Sequence, residues 1–142
     1  MIGVGFSEAT VLDMSSMLGW FSGTWGYHND DGKLYGESSL PGRQFGELYQ
    51  EDDIIGCGVN FEDETAFYTK NGKFIGTLQY TVSPTNKELI KYSRPLGRAF
   101  QNVRGRLYPA VSLTRGCVVS VELWDDKQTR NEKFRFKGSY NE

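Results

Sequence analysis

The stretch TAFYTKNGKFIGTL, residues 65–78, restricts the fold more than any other part of the chain. Asn71-Gly72 supplies two successive residues that tolerate positive φ, as the centre of a type I′ turn requires, and strand-like residues flank it. Ahead of the turn, Ala66, Tyr68 and Lys70 share one face while Phe67 and Thr69 share the other, the period-two pattern of a strand. Two antiparallel strands joined by a tight turn follow. Other segments repeat the theme. IGVGF (2–6) is a short apolar run whose glycines permit close approach of a neighbouring backbone, and DIIGCGVNF (53–61) leads into the hairpin. RLYPAVSL (106–113) and CVVSVELW (117–124) are separated by Thr114-Arg115-Gly116, again a hairpin spacing, and Phe134 and Phe136 point the same way on a last short strand. Strands of this length, with turns every ten or so residues, predict an all-β chain folded as an antiparallel β-sandwich.

Composition agrees with one such domain. The chain has 142 residues, enough for one two-layer core, and 38% hydrophobic with 14% aromatic residues excludes a disordered segment. Seventeen glycines against four prolines favour tight turns over a low-complexity linker. YTVSPTNKELIKYSRPLGR (80–98) departs from the pattern: it is polar, and Thr85-x-x-Glu88 reads as a capping box, which predicts one or two helical turns over 86–92, against a surface loop without regular structure.

The charge of −2, from 16 basic and 18 acidic residues well mixed, gives no stripe for nucleic acid and no tail for a basic partner. Exposed aromatics leave RNA as a minor alternative. No apolar run reaches a transmembrane length, and MIGVGFSEAT lacks the charged and apolar regions of a signal peptide, so a cytoplasmic or nuclear protein is expected. Cys57 and Cys117 both lie in apolar, strand-like surroundings and read as buried free thiols.

GTWGYHNDDGKLYG (23–36) gathers the only His, His28, with Asp30 and Asp31. A His beside two carboxylates suggests a general base or a metal site. Adjacent carboxylates on a strand point to opposite faces, however, and Asp-Asp-Gly is also what a hairpin turn requires. With no second His, no cysteine pair and no Gly-x-Ser-x-Gly elbow, no catalytic residue, metal ligand or cofactor is expected. Glu62-Asp63-Glu64, the one dense acidic cluster, lies between two strands and reads as a solvated turn rather than a glycosidase pair.

Four strings in register then resemble one family. Gly19-Trp20 with Thr24-Trp25-Gly26-Tyr27-His28-x-Asp30-Asp31-Gly32 is similar to the SPRY domain pattern GW…SWGYHGDDG. Residues 53–61 resemble GDVIGCGVNF, residues 66–72 match AFYTKNG, and Leu107-Tyr108-Pro109-x-Val111 resembles LYPTV. The nearest branch is the Ran-binding-protein type, found in scaffold subunits of ubiquitin ligases. The resemblance implies a concanavalin-like jelly roll. It makes residues 1–142 a single SPRY domain without its first strands, and 77–96 an insertion, because Phe74-Ile75-Gly76 and Leu96–Phe100 both resemble one family segment. Asp52 stands where the family has Gly.

The resemblance also implies a non-enzymatic module that binds a short peptide of another protein through loops at one end of the sandwich. It would recruit substrates or act as a scaffold in a ubiquitin-ligase complex. Its contact loops correspond to Met14, Met17 and Leu18 and to Thr114, Arg115 and Gly116. The residues agree in part. Methionines in a loop suit an adaptable binding surface or pack on the sandwich rim, and Arg115 could meet a peptide carboxylate. Tyr27 and Tyr35 could line the same surface, while Trp20 and Trp25 read as anchors of loops to the core. Two alternatives stay open: a homo-oligomer completing its sheets through exposed edges, and a secreted effector or sugar-binding sandwich.

Overall fold

In the computed structural model, residues 1–8, 15–36, 41–62, 64–75 and 98–122 are described, with the backbone alone at 80–82 and 89–91. Among the described residues there are ten strands: β1 (Ile2–Ser7), β2 (Thr24–His28), β3 (Lys33–Gly36), β4 (Arg43–Gln44), β5 (Ile55–Asn60), β6 (Thr65–Lys70), β7 (Lys73–Ile75), β8 (Tyr80–Val82), β9 (Leu89–Lys91) and β10 (Tyr108–Leu113). A five-stranded sheet runs in the order β10-β1-β2-β3-β4 and a three-stranded one in the order β5-β6-β7, every neighbouring pair antiparallel.

The hairpin expected at Asn71-Gly72 is present. Both residues have positive φ, 52° and 78°, and Lys70 pairs with Lys73 around them. Asn71 is more than a turn former: its Oδ1 accepts the Ile54 N–H at 2.8 Å, and its Nδ2 donates to Asp53 at 2.8 Å. The alternation read from β6 also holds, since Ala66 and Tyr68 enter the core while Phe67 packs edge-on against Phe74 at 5.3 Å outside it.

The core lies between the two larger sheets. Phe6, Trp25, Tyr27, Leu34 and Phe45 come from the five-stranded side, and Ala66 and Tyr68 from the other. Ala99 and Val103 close one end, where Ala66 exchanges backbone hydrogen bonds with Phe100 and Ala99 at 3.0 and 2.7 Å. Tyr27 and Tyr68, both fully buried, meet at 5.4 Å between ring centroids. Each aromatic side chain buried here contributes roughly 1.5–3 kcal/mol by leaving water. The antiparallel β-sandwich is therefore the observed fold.

Two expectations change. Leu89–Lys91 is a strand paired with Tyr80–Val82, not part of a helix; the rest of the proposed helix lies outside the described residues. A two-turn helix has little intrinsic stability, so one capping box does not outweigh pairing of two β-prone triplets. Residues 117–122 form no strand, although their sequence alternates, because a strand exists only where a neighbour takes its hydrogen bonds. Leu123, Trp124, Phe134 and Phe136 lie outside the described residues. Both cysteines are free, as expected, but only partly buried.

Candidate functional site

The central strand β2 is buried along its whole length, so both its faces are covered. Trp25 and Tyr27 point into the core; Thr24, Gly26 and His28 point to the opposite face of the sheet, where the loop 15–23 folds back over them. Gly26 makes this possible, since a Cβ there would stand 2.8 Å from the Leu18 carbonyl oxygen and 2.9 Å from its Cβ. Leu18 fills the trough and is 1% exposed.

Polar contacts hold the loop in place. The Thr24 hydroxyl accepts the Gly19 N–H at 2.9 Å and donates to the Phe21 carbonyl at 2.7 Å. The Leu18 N–H donates to Ser112 Oγ on β10 at 3.1 Å, and His28 Nε2 meets the Leu18 carbonyl at 2.8 Å. A carbonyl only accepts, so Nε2 carries a proton and donates it in this contact. Burial pushes the His28 pKa below its ordinary value, more than the Leu18 hydrogen bond and the Asp30 and Asp31 charges raise it.

His28 stacks on Tyr35 at 4.4 Å, and the Tyr35 hydroxyl donates to Asp31 Oδ2 at 2.5 Å. Burial and this carboxylate push the Tyr35 hydroxyl up to about 12. Asp31 also accepts the Lys33 N–H at 3.0 Å and pairs with Lys33 Nζ at 3.6 Å. Burial alone would raise the Asp31 pKa, but these donors outweigh it and hold the carboxyl low. His28 and Asp31 are thus engaged with structural partners, and Gly32 takes φ 67° in the turn between β2 and β3. Among the described residues no group of three or more His, Cys, Asp or Glu could hold a metal. Asn60 Oδ1 accepts the Glu62 N–H at 2.9 Å, and Glu64 takes φ 53°, the geometry of a turn; Asp63 lies outside the described residues.

On this platform sits Trp20, 38% exposed, with its ring 5.8 Å from His28 and 6.2 Å from Tyr35. Reading it as equivalent to Trp25, which is 6% exposed in the core, missed the distinction. The available signal was position: Trp25 belongs to a period-two strand, whereas Trp20 follows Gly19 in a loop. Of the residues singled out from sequence, Met17, Leu18, Tyr27 and Tyr35 are buried, and Tyr27 lies in the core with its hydroxyl donating to the Glu47 carbonyl. Thr114, Arg115 and Gly116 are exposed in the turn after β10, and Met14 lies outside the described residues. The Leu18–Ser112 bond draws the two loop groups to the same end of the sheet. Ser112 is opposite Gly3 and Gly3 is opposite His28, so the platform lies two strands, about 10 Å, from β10.

The SPRY domain family model matches residues 1–126. Among curated proteins, the chain is 35% identical over 112 residues to a Ran-binding proteins 9/10 homolog of Drosophila melanogaster, covering 79% of this chain and 9% of that protein. It is 39% identical over 85 residues to human Ran-binding protein 9, covering 60% of this chain and 11% of the relative. It is 35% identical over 99 residues to the dual specificity protein kinase splA of Dictyostelium discoideum, covering 67% of this chain and 3% of the kinase. The chain thus spans only a small part of each of these relatives. A solved human SPRY domain aligns with a TM-score of 0.48 at 36% identity, covering 78% of this chain and 58% of that one. With that family match over most of its length, the chain belongs to the SPRY domain family.

Proposed function

We propose that this SPRY domain is a protein-interaction module that grips a short extended segment of a partner between Trp20 and the Thr114–Gly116 turn. The observation that carries the reading is Trp20 held exposed on a buried His28–Tyr35 stack. An indole fixed in one orientation binds with little loss of side-chain freedom, which is why aromatics dominate interface energetics. Met17, Leu18 and Tyr35 shape the platform from beneath, and Arg115 offers a guanidinium at the far end for a carboxylate. About 10–15 Å separates the two ends, the reach of four or five extended residues. The expected ligand therefore carries an apolar side chain for Trp20 and an acidic residue four or five positions away. Similarity to the Ran-binding proteins supports a setting in which the partner is another protein, and substrate recruitment in a ubiquitin-ligase complex is the form of it we favour.

A peptide array tests the reading. Trp20→Ala and Arg115→Glu both change exposed residues, and each is expected to weaken the hits at least tenfold with an unchanged circular-dichroism spectrum. If both variants bind every hit as tightly as the wild type, the site lies elsewhere.

A further inference from the structure

Side chains from β2 and β10 hold the turn that leads into Trp20. Residues 17–20 form a β-turn: the Trp20 N–H donates to the Met17 carbonyl at 3.1 Å, and Gly19 takes φ 84°, the type II form. Glycine at this position tolerates type I as well, so residue type alone does not decide which way the Leu18–Gly19 peptide points. Its hydrogen bonds decide it. His28 Nε2 donates to the Leu18 carbonyl at 2.8 Å and Thr24 Oγ1 accepts the Gly19 N–H at 2.9 Å, so both ends of that peptide are bonded from β2. The Leu18 N–H goes instead to Ser112 Oγ on β10, at 3.1 Å. Gly3, on β1 between the two, gives Ser112 and His28 room to reach the same turn: a Cβ there would stand 2.7 Å from Ser112 Oγ and 3.0 Å from His28 Cδ2.

We propose that Ser112 is a positioning residue of the peptide site, one that sets the spacing of the ligand's two contacts. The inference rests on the reading above, in which Trp20 and the Thr114–Gly116 turn are the two ends of that site. Of the three side chains that hold the turn, Ser112 is the one on β10, and it lies two residues before Thr114. One strand thus carries both the hydroxyl that fixes the Trp20 loop and the turn that bears Arg115. The gap between indole and guanidinium is held by a short length of backbone and a single hydrogen bond. A ligand that spans both ends meets a preset distance and loses little free energy to ordering the loop. Without the hydroxyl, the loop shifts against β10, and ligands of other spacings fit nearly as well.

Ser112→Ala in the full chain tests this, because it removes one hydroxyl and leaves the backbone pairing of β1 with β10 in place. Amide hydrogen exchange without peptide is read first. The Leu18 amide is expected to exchange about three- to tenfold faster, the loss of one neutral hydrogen bond, while the amides of β2 stay as protected as before. Peptides whose apolar and acidic residues are set progressively further apart are then titrated. The best of them weakens by about three- to tenfold and the preference for one spacing flattens, a change that a general loss of stability would not produce. Adding Ser112→Ala to Trp20→Ala weakens binding no further, since the hydroxyl acts through the loop that carries the indole. An unchanged Leu18 amide, a spacing preference as sharp as that of the wild type, or additive losses in the double variant overturns the proposal. Peptides indifferent to Trp20→Ala refute the site itself, whereas peptides that need Trp20 and ignore Ser112→Ala refute this inference alone.

Discussion

Tyr68 carries a hydroxyl that the protein would be more stable without. Its side chain is fully buried, and the hydroxyl has no hydrogen-bond partner among the described residues. The group lies against Gly5, where a Cβ would stand 2.9 Å from the oxygen. Burial pushes its pKa well above 10, so it stays a neutral phenol at any working pH. An unsatisfied buried hydroxyl costs about 1–3 kcal/mol. Tyr68→Phe removes that cost and leaves the ring among Phe6, Tyr27, Phe45 and Phe100. The oxygen-sized void it creates costs roughly 0.3 kcal/mol, so the desolvation gain wins and a net stabilisation near 1 kcal/mol is expected. Tyr49 is the control. Its hydroxyl reaches the carbonyls of Tyr27 at 2.8 Å and Ile2 at 2.9 Å, so Tyr49→Phe removes a made hydrogen bond and costs about 0.5–1.5 kcal/mol. Urea unfolding followed by tryptophan fluorescence reads both. With a slope of about 1–2 kcal/mol/M, the midpoints move in opposite directions by roughly 0.5–1 M. A Tyr68→Phe midpoint that falls as far as that of Tyr49→Phe refutes the reasoning, because it means the hydroxyl is satisfied.

Three further outcomes are expected. Asp52 adopts φ 68° where the family resemblance has Gly, so Asp52→Gly raises stability by about 0.5–1 kcal/mol, read as a higher urea midpoint. Leu18→Ala empties the trough over Gly26 and costs about 2–4 kcal/mol; calorimetry reads it as a lower Tm, and peptide binding weakens with it because the loop also carries Trp20. Because His28 has a depressed pKa when folded, the unfolded chain binds its proton first. Stability is therefore complete above about pH 6.5 and falls as the pH drops below it, and urea midpoints from pH 7.5 to 5.5 should fall less steeply in a His28→Gln variant.

The parts legible in the sequence were those whose cause is local. Asn71-Gly72 meets a backbone requirement within four residues, and alternation in β6 assigns Ala66 and Tyr68 to the core without knowledge of what lies opposite. The Asp-Asp-Gly turn after His28 is local in the same sense. What escaped depends on partners remote in sequence. The strand β4 is two polar residues, Arg43 and Gln44, defined only by pairing with Leu34 and Lys33. Val118–Val121 is rich in β-branched residues but has no strand partner among the described residues. At the candidate site, which side chains of the loop before β2 face outward was not legible. Leu18 turns inward because Gly26 leaves room for it, and Trp20 stays outside because His28 and Tyr35 already fill the face beneath.

The seam between β1 and β10 bears on how the chain reaches this state. Ser7 pairs with Tyr108, about 100 residues away, so the sheet that carries the platform closes only when the two ends of the described chain meet. At roughly 5–20 residues per second of synthesis, β1 waits on the order of 5–20 s for its partner strand. During that interval one edge of the nascent β1–β2–β3 sheet is open, and Leu18 lacks the Ser112 hydroxyl that later fixes its loop. Pairings so distant in sequence slow folding, so refolding should lag well behind that of the local β6–β7 hairpin. The same seam that assembles the platform thus delays its formation until β10 has been synthesised.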